Sequence, residues 1–99
     1  MITLNVKSIS GGEETVKKIL QDGLEEERKR VEYALNMTVK AIRTFEDRFG
    51  MSTDIFIEKF RSGEIEENEE TFEWWAETKL ADELRETLQT ITTIEICQQ

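Results

Sequence analysis

Glutamates dominate the residues that could do chemistry. Glu66/Glu69 and Glu83/Glu86 are spaced Glu-x-x-Glu, which on a helix sets two carboxylates on one face. Two such pairs can hold Mg²⁺ for phosphate hydrolysis. A phosphate substrate would also want a nearby base, and Lys79 and Arg85 are the local candidates. Because 22 of the 99 residues are Asp or Glu, such pairs arise by chance and carry little weight. The rest of the catalytic repertoire is thin. There is no His, the side chain best suited to proton transfer near neutral pH, so His-based triads and zinc sites are excluded. Ser10-Gly11-Gly12 lacks the spacing and the Lys of a phosphate-binding loop. Cys97, the single cysteine, sits in TTIEICQQ with no base and no helix N-terminus to activate its thiol. The expectation is a protein without catalytic residues, metal or cofactor.

What the acid can do is recognise a partner. Residues 64–77 hold seven acids and no base, leaving −2 for the rest of a chain whose net charge is −9. Such a field repels nucleic-acid phosphate and attracts basic proteins. Within this stretch stand two adjacent tryptophans, Trp74 and Trp75, which project about 100° apart on a helix. Trp75 shares a stripe with Phe72, Ala76, Leu80, Leu84 and Leu88 and is expected in the core. Trp74 falls off that stripe and is the candidate interface anchor, since binding hot spots favour Trp. Around it Glu66, Glu67, Glu69, Glu70, Glu73 and Glu77 would select a basic partner and speed the encounter.

Nucleic acid is a weaker prospect. MITLNVKSIS alternates Ile2, Leu4 and Val6 with Thr3, Asn5 and Lys7, a half-buried strand signature over residues 1–10. A strand leading into helices is similar to the order in ribbon-helix-helix DNA-binding proteins. Positive charge there is limited to Lys7, Lys17 and Lys18, with Glu13 and Glu14 offsetting two of them. The cluster Arg28-Lys29-Arg30 follows Glu25 to Glu27 and reads as a neutralised, solvated face.

The elements that must position these groups are mainly α-helical. Proline is absent, which favours long uninterrupted helices. A long bent helix is predicted over 13–49, with Asp22-Gly23 as a kink or a turn between two helices. Val31, Ala34, Leu35, Thr38, Ile42, Phe45 and Phe49 form its stripe, and Glu25–Lys29 and Glu26–Arg30 are i,i+4 pairs. Gly50 stops this helix as a left-handed cap would. Ser52 or Thr53 starts a short helix over 53–61, and a third runs over 71–89. The β-branched tail 91–97 favours a strand that could pair with the first. The fold expected is therefore an antiparallel bundle of one long and two shorter helices in a single domain, with short terminal strands.

Even the segment from Leu24 to Phe49 would span roughly 39 Å at 1.5 Å per residue, longer than a compact chain of this size. A homodimer along the long helix is expected, with Val31, Leu35, Ile42 and Phe45 at its interface. One cysteine, no signal peptide and no long apolar run point to the cytoplasm and away from membranes.

The region FEDRFGMSTDIFIEKFRSGEIEENEETFEWWAE resembles a pattern in small helical proteins of archaea and bacteria. Its marks are Phe49-Gly50-Met51-Ser52, Phe56 with Phe60, Gly63-Glu64-Ile65 and Phe72-Glu73-Trp74. Many of those proteins look like the antitoxin half of toxin–antitoxin pairs. The resemblance covers about a third of the chain and implies neutralisation of a basic, RNase-like protein. Related sequences tend to carry Asp in the acidic loop, where this chain has Glu and Asn.

Overall fold

The computed structural model describes residues 12–97. Three helices account for nearly all of them: α1 (Glu13–Phe49), α2 (Thr53–Ser62) and α3 (Glu69–Cys97). The strand expected over 1–10 lies outside the described residues.

Helix α1 is a single run of 37 residues through Asp22-Gly23; no turn divides it. It ends at Gly50, whose φ of 66° places it in the left-handed region and whose N–H donates to the Glu46 carbonyl. Ser52 caps α2 by accepting from the Ile55 N–H at 3.3 Å. Gly63, also left-handed at φ 79°, closes it.

Helices α1 and α3 lie side by side and antiparallel. Phe45 meets Trp74 near one end, Arg48 pairs with Glu70 there, and Arg28 meets Thr92 and Glu95 near the other. Val31 and Thr38 of α1 and Ala81 and Ile91 of α3 are buried. The long-helix stripe read from sequence is the one that faces inward. Because Arg28 already sits beside Glu95 and α3 ends at Cys97, the first three turns of α1 extend past α3. The Cα radius of gyration is 19.2 Å, against about 13 Å for a compact chain of 100 residues.

Two expectations for α3 are overturned. Residues 91–97 are helical, not a strand. Ile91, 4% exposed, packs into the hairpin, and Arg28 ties the Thr92 and Glu95 side chains to α1. The hydroxyls of Thr87, Thr90 and Thr93 donate to the carbonyls four residues earlier, so these β-branched residues fit a helix. Tertiary packing outweighs their local preference. The buried face is also rotated from the one predicted. Thr71, Trp74, Ala81 and Ile91 are buried, Trp75, Leu84 and Leu88 are intermediate, and Phe72, Ala76 and Leu80 are exposed. Helix α3 carries two apolar stripes, and the aromatic residues of α1 and α2 select the one containing Trp74.

Trp74 is 0% exposed. Its ring stacks on Phe56 of α2 at 3.8 Å between centroids and 3° between planes, and on Phe45 of α1 at 5.7 Å and 8°. Phe49 tilts against it at 5.4 Å. Its indole N–H donates to Thr53 Oγ1 at 3.1 Å. One side chain thus joins all three helices. Trp74→Ala should cost about 3–5 kcal/mol, read from urea unfolding, and Trp75→Ala less. With Trp75→Phe, the remaining Trp74 should emit at short wavelength and resist acrylamide quenching. With Trp74→Phe, the remaining Trp75 should be quenched readily.

Candidate functional site

The acidic stretch and the aromatic cluster meet at one tip of the hairpin, built from the end of α1, all of α2 and the start of α3. All five Phe and both Trp of the chain lie between residues 45 and 75. Phe56, Phe60 and Trp74 form the buried cluster, with Phe45, Phe49, Met51, Ile57, Ile65 and Trp75 packed around it. This apolar mass fixes the loop that carries the acid.

Polar contacts complete the anchoring. The Glu46 carboxylate accepts from both the N–H and the hydroxyl of Thr53, each at 2.9 Å. Thr53 Oγ1 in turn accepts from Trp74, so a continuous chain of hydrogen bonds crosses from α3 through α2 to α1. The negative carboxylate also sits at the positive end of α2. The entry to α3 is a reciprocal cap: Asn68 Oδ1 accepts from the Thr71 N–H at 3.0 Å, and the Asn68 N–H donates to Thr71 Oγ1 at 2.9 Å. Thr71 Oγ1 also donates to the Glu66 carbonyl at 2.9 Å, drawing the acidic loop onto the helix start. Asn68 therefore caps α3, which begins at Glu69, two residues before the start expected at Thr71. Thr replaces the usual Glu or Gln of such a box, which is why spacing rules pass over it.

The sequence-predicted site residues divide sharply. Glu66, Glu67, Glu69 and Glu73 are exposed, as is Glu64; Glu70 and Glu77 are partly covered. Among the described residues only Glu70 of this group forms an ion pair, with Arg48. Trp74 is not at this surface: the expected docking anchor is the buried centre of the tip, because α2 folds over it. The aromatic residues that do reach the surface beside the acid are Phe72, 49% exposed and edge-on to Phe60 at 5.6 Å, and the half-buried Trp75. Lys79 Nζ lies 5.9 Å from the Trp75 ring centroid. Phe72 escaped sequence reading because its spacing suits an inward stripe.

The four residues expected at a dimer interface are engaged within one protomer. Val31 is 0% exposed and Phe45 stacks on Trp74. Leu35 and Ile42 are partly covered on the same stripe. That stripe meets α3 of the same chain, which corrects the expectation that a second copy covers it. The basic cluster is neutralised, but not by the i,i+4 pairs: Arg30 pairs with Glu27, Lys29 with Glu26 at 3.8 Å, and Arg28 with Glu95 across the hairpin. The hydrogen bond from Arg30 holds the Glu27 carboxyl below the usual carboxylate range.

Glu69 and Glu83 stand about 20 Å apart along α3 at 1.5 Å per residue, so the two Glu-x-x-Glu pairs do not share a site. Among the described residues no three acidic or Cys side chains converge as metal ligands. An open groove of about 490 Å³ between α2 and α3 mixes Asp54, Glu58 and Asp82 with Arg61 and Lys79, so no single charge gathers there. Among the described residues no helix is long and apolar enough to cross a membrane. Comparison with protein-family models, curated proteins and solved structures gives no match.

The cap makes the tip's order testable. Asn68→Ala should lower stability by about 1 kcal/mol. Thr71→Val should cost about 1–3 kcal/mol by leaving the Asn68 N–H unpaired. Urea midpoints at constant slope would register both.

Proposed function

We propose that this chain is a non-catalytic protein-binding module whose acidic tip engages a basic protein in the cytoplasm. The observation that carries the reading is the combination at the tip: exposed Glu64, Glu66, Glu67, Glu69 and Glu73, without ion-pair partners among the described residues, beside the exposed ring of Phe72. Free carboxylates steer a positive partner, and a fixed aromatic ring supplies apolar contact area. The aromatic cluster underneath supports binding without ordering of the loop, which keeps the entropic cost of association low.

The resemblance of residues 45–77 to antitoxin-like proteins supports a more specific partner, a basic RNase-like toxin that the acidic tip neutralises. The anchoring role expected of Trp74 passes to Phe72 and Trp75.

The test is co-expression with any small, net-positive protein encoded by an adjacent gene. The two should co-purify, and affinity should fall steeply with added salt. Phe72→Ala should weaken the complex by about 1–2 kcal/mol, and Glu66→Lys with Glu69→Lys at least as much, with helical circular dichroism unchanged. If no such neighbour exists, or the pair does not associate at low salt, the antitoxin reading is lost.

A further inference from the structure

Helix α2 covers only one flank of the α1–α3 hairpin. It reaches Glu46 of α1 through Thr53 and Trp75 of α3 through Phe60. Glu46 and Trp75 each follow an inward residue, Phe45 and Trp74, by one position, so both lie about 100° to the same side of the core line. Met37 and Leu80 each precede a buried residue, Thr38 and Ala81, and so lie about 100° to the opposite side. In two antiparallel helices that face each other, the same sense of rotation leads to one shared flank. The Arg48–Glu70 ion pair links two residues whose phase falls on this second flank, an independent check.

That second flank is apolar through its middle. Ala34, Met37 and Ala41 of α1 and Leu80, Leu84 and Ile94 of α3 line it. Met37 is 49% and Leu80 41% exposed. Its two interspersed threonines have their hydroxyls turned back: Thr44 Oγ1 donates to the Lys40 carbonyl at 3.1 Å and Thr87 Oγ1 to the Glu83 carbonyl at 3.0 Å. Their burial would strand no donor. The overlap of α1 and α3 is about 36 Å long at 1.5 Å per residue. Two helices side by side, each about 10 Å across with its side chains, make the flank about 20 Å wide, an outline on the order of 700 Å², close to what one side of a standard protein interface buries.

Charge selects the occupant. Toward the tip the apolar middle is bounded by Glu73 and Glu77, and toward the far end by Arg30, whose partner Glu27 leaves it 68% exposed. Arg30 and the level of Glu77 lie about 10 Å to either side of Met37 along the hairpin. A two-fold axis through Met37, perpendicular to the helices, therefore brings Arg30 of each copy level with Glu77 of the other.

We propose that this flank is the interface of a homodimer, two hairpins stacked antiparallel into a four-helix core with Met37 at the two-fold axis and α2 on the outside of each copy. The small side chains of Ala34 and Ala41 let the two α1 helices approach. The dimer does not rest on the basic-partner reading: of the acids in the tip only Glu73 and Glu77 border the interface, and Glu64, Glu66, Glu67 and Glu69 stay outside it.

Sedimentation equilibrium of the full chain at micromolar concentration should give twice 11.6 kDa. Met37→Lys with Leu80→Lys should reduce the mass to that of one chain while keeping helical circular dichroism. Ile55→Lys, at an equally exposed position on α2 (47%), should leave the dimer intact. In a Cys97→Ser background, Met37→Cys should oxidise to a covalent dimer. Thr44→Cys should not, because the two-fold axis sets its copies about 20 Å apart along the helices. A monomeric wild-type chain overturns the proposal, as does a dimer that survives both lysines or is broken by Ile55→Lys. Failure of Met37→Cys to cross-link, or self-linking by Thr44→Cys, overturns the antiparallel stacking.

Discussion

The structure hangs on Trp74. A two-helix hairpin of ordinary aliphatic contacts is a poor independent fold, because each helix buries one stripe and leaves the rest wet. Here a large ring is held between an aromatic from α1 and one from α2, and its single polar atom is matched by Thr53. The position of α2, the direction in which α3 leaves the loop, and the rotation of α3 about its own axis all follow from that contact. Without it nothing would favour the Trp74 stripe over the rival stripe of Trp75 and Leu80.

This explains which features were readable in advance. The stripe on α1 was legible because it is one long repeat with few competitors. The stop at Gly50 was legible because a left-handed cap suits glycine. The phase of α3 was not, since Phe72, Trp75 and Leu80 make an equally regular apolar pattern and periodicity cannot weigh a stripe by what it will meet. The tail 91–97 failed for a related reason: Thr and Ile favour strands locally, while Arg28, far away in sequence, holds Thr92 and Glu95 in a helix. At the candidate site the acid was fully visible, being a matter of composition. Which aromatic accompanies it was not, because that depends on the phase of α3.

The division of labour between the two tryptophans then becomes clear. Trp74 stabilises, and its neighbours Phe72 and Glu73 face outward because it faces inward. A tip whose surface groups are fixed by one buried ring can present separated carboxylates without collapsing around them. Along the rest of the hairpin no such ring exists, and the contacts are thinner: Val31, Ala81 and Ile91 are small or medium side chains, and the last tie is the Arg28 clamp.

That gradient also orders the closing of the chain. Thr53 and Trp74 are separated by 21 residues, whereas Arg28 and Glu95 are separated by 67. Joining the second pair from an open coil means closing a long loop, at an entropic cost that grows with its length. Once the tip is formed, each further rung between α1 and α3 adds only a short increment to a loop already closed. The chain is wired like a zip with its slider at the aromatic end, and the Arg28 clamp is the last tooth to engage.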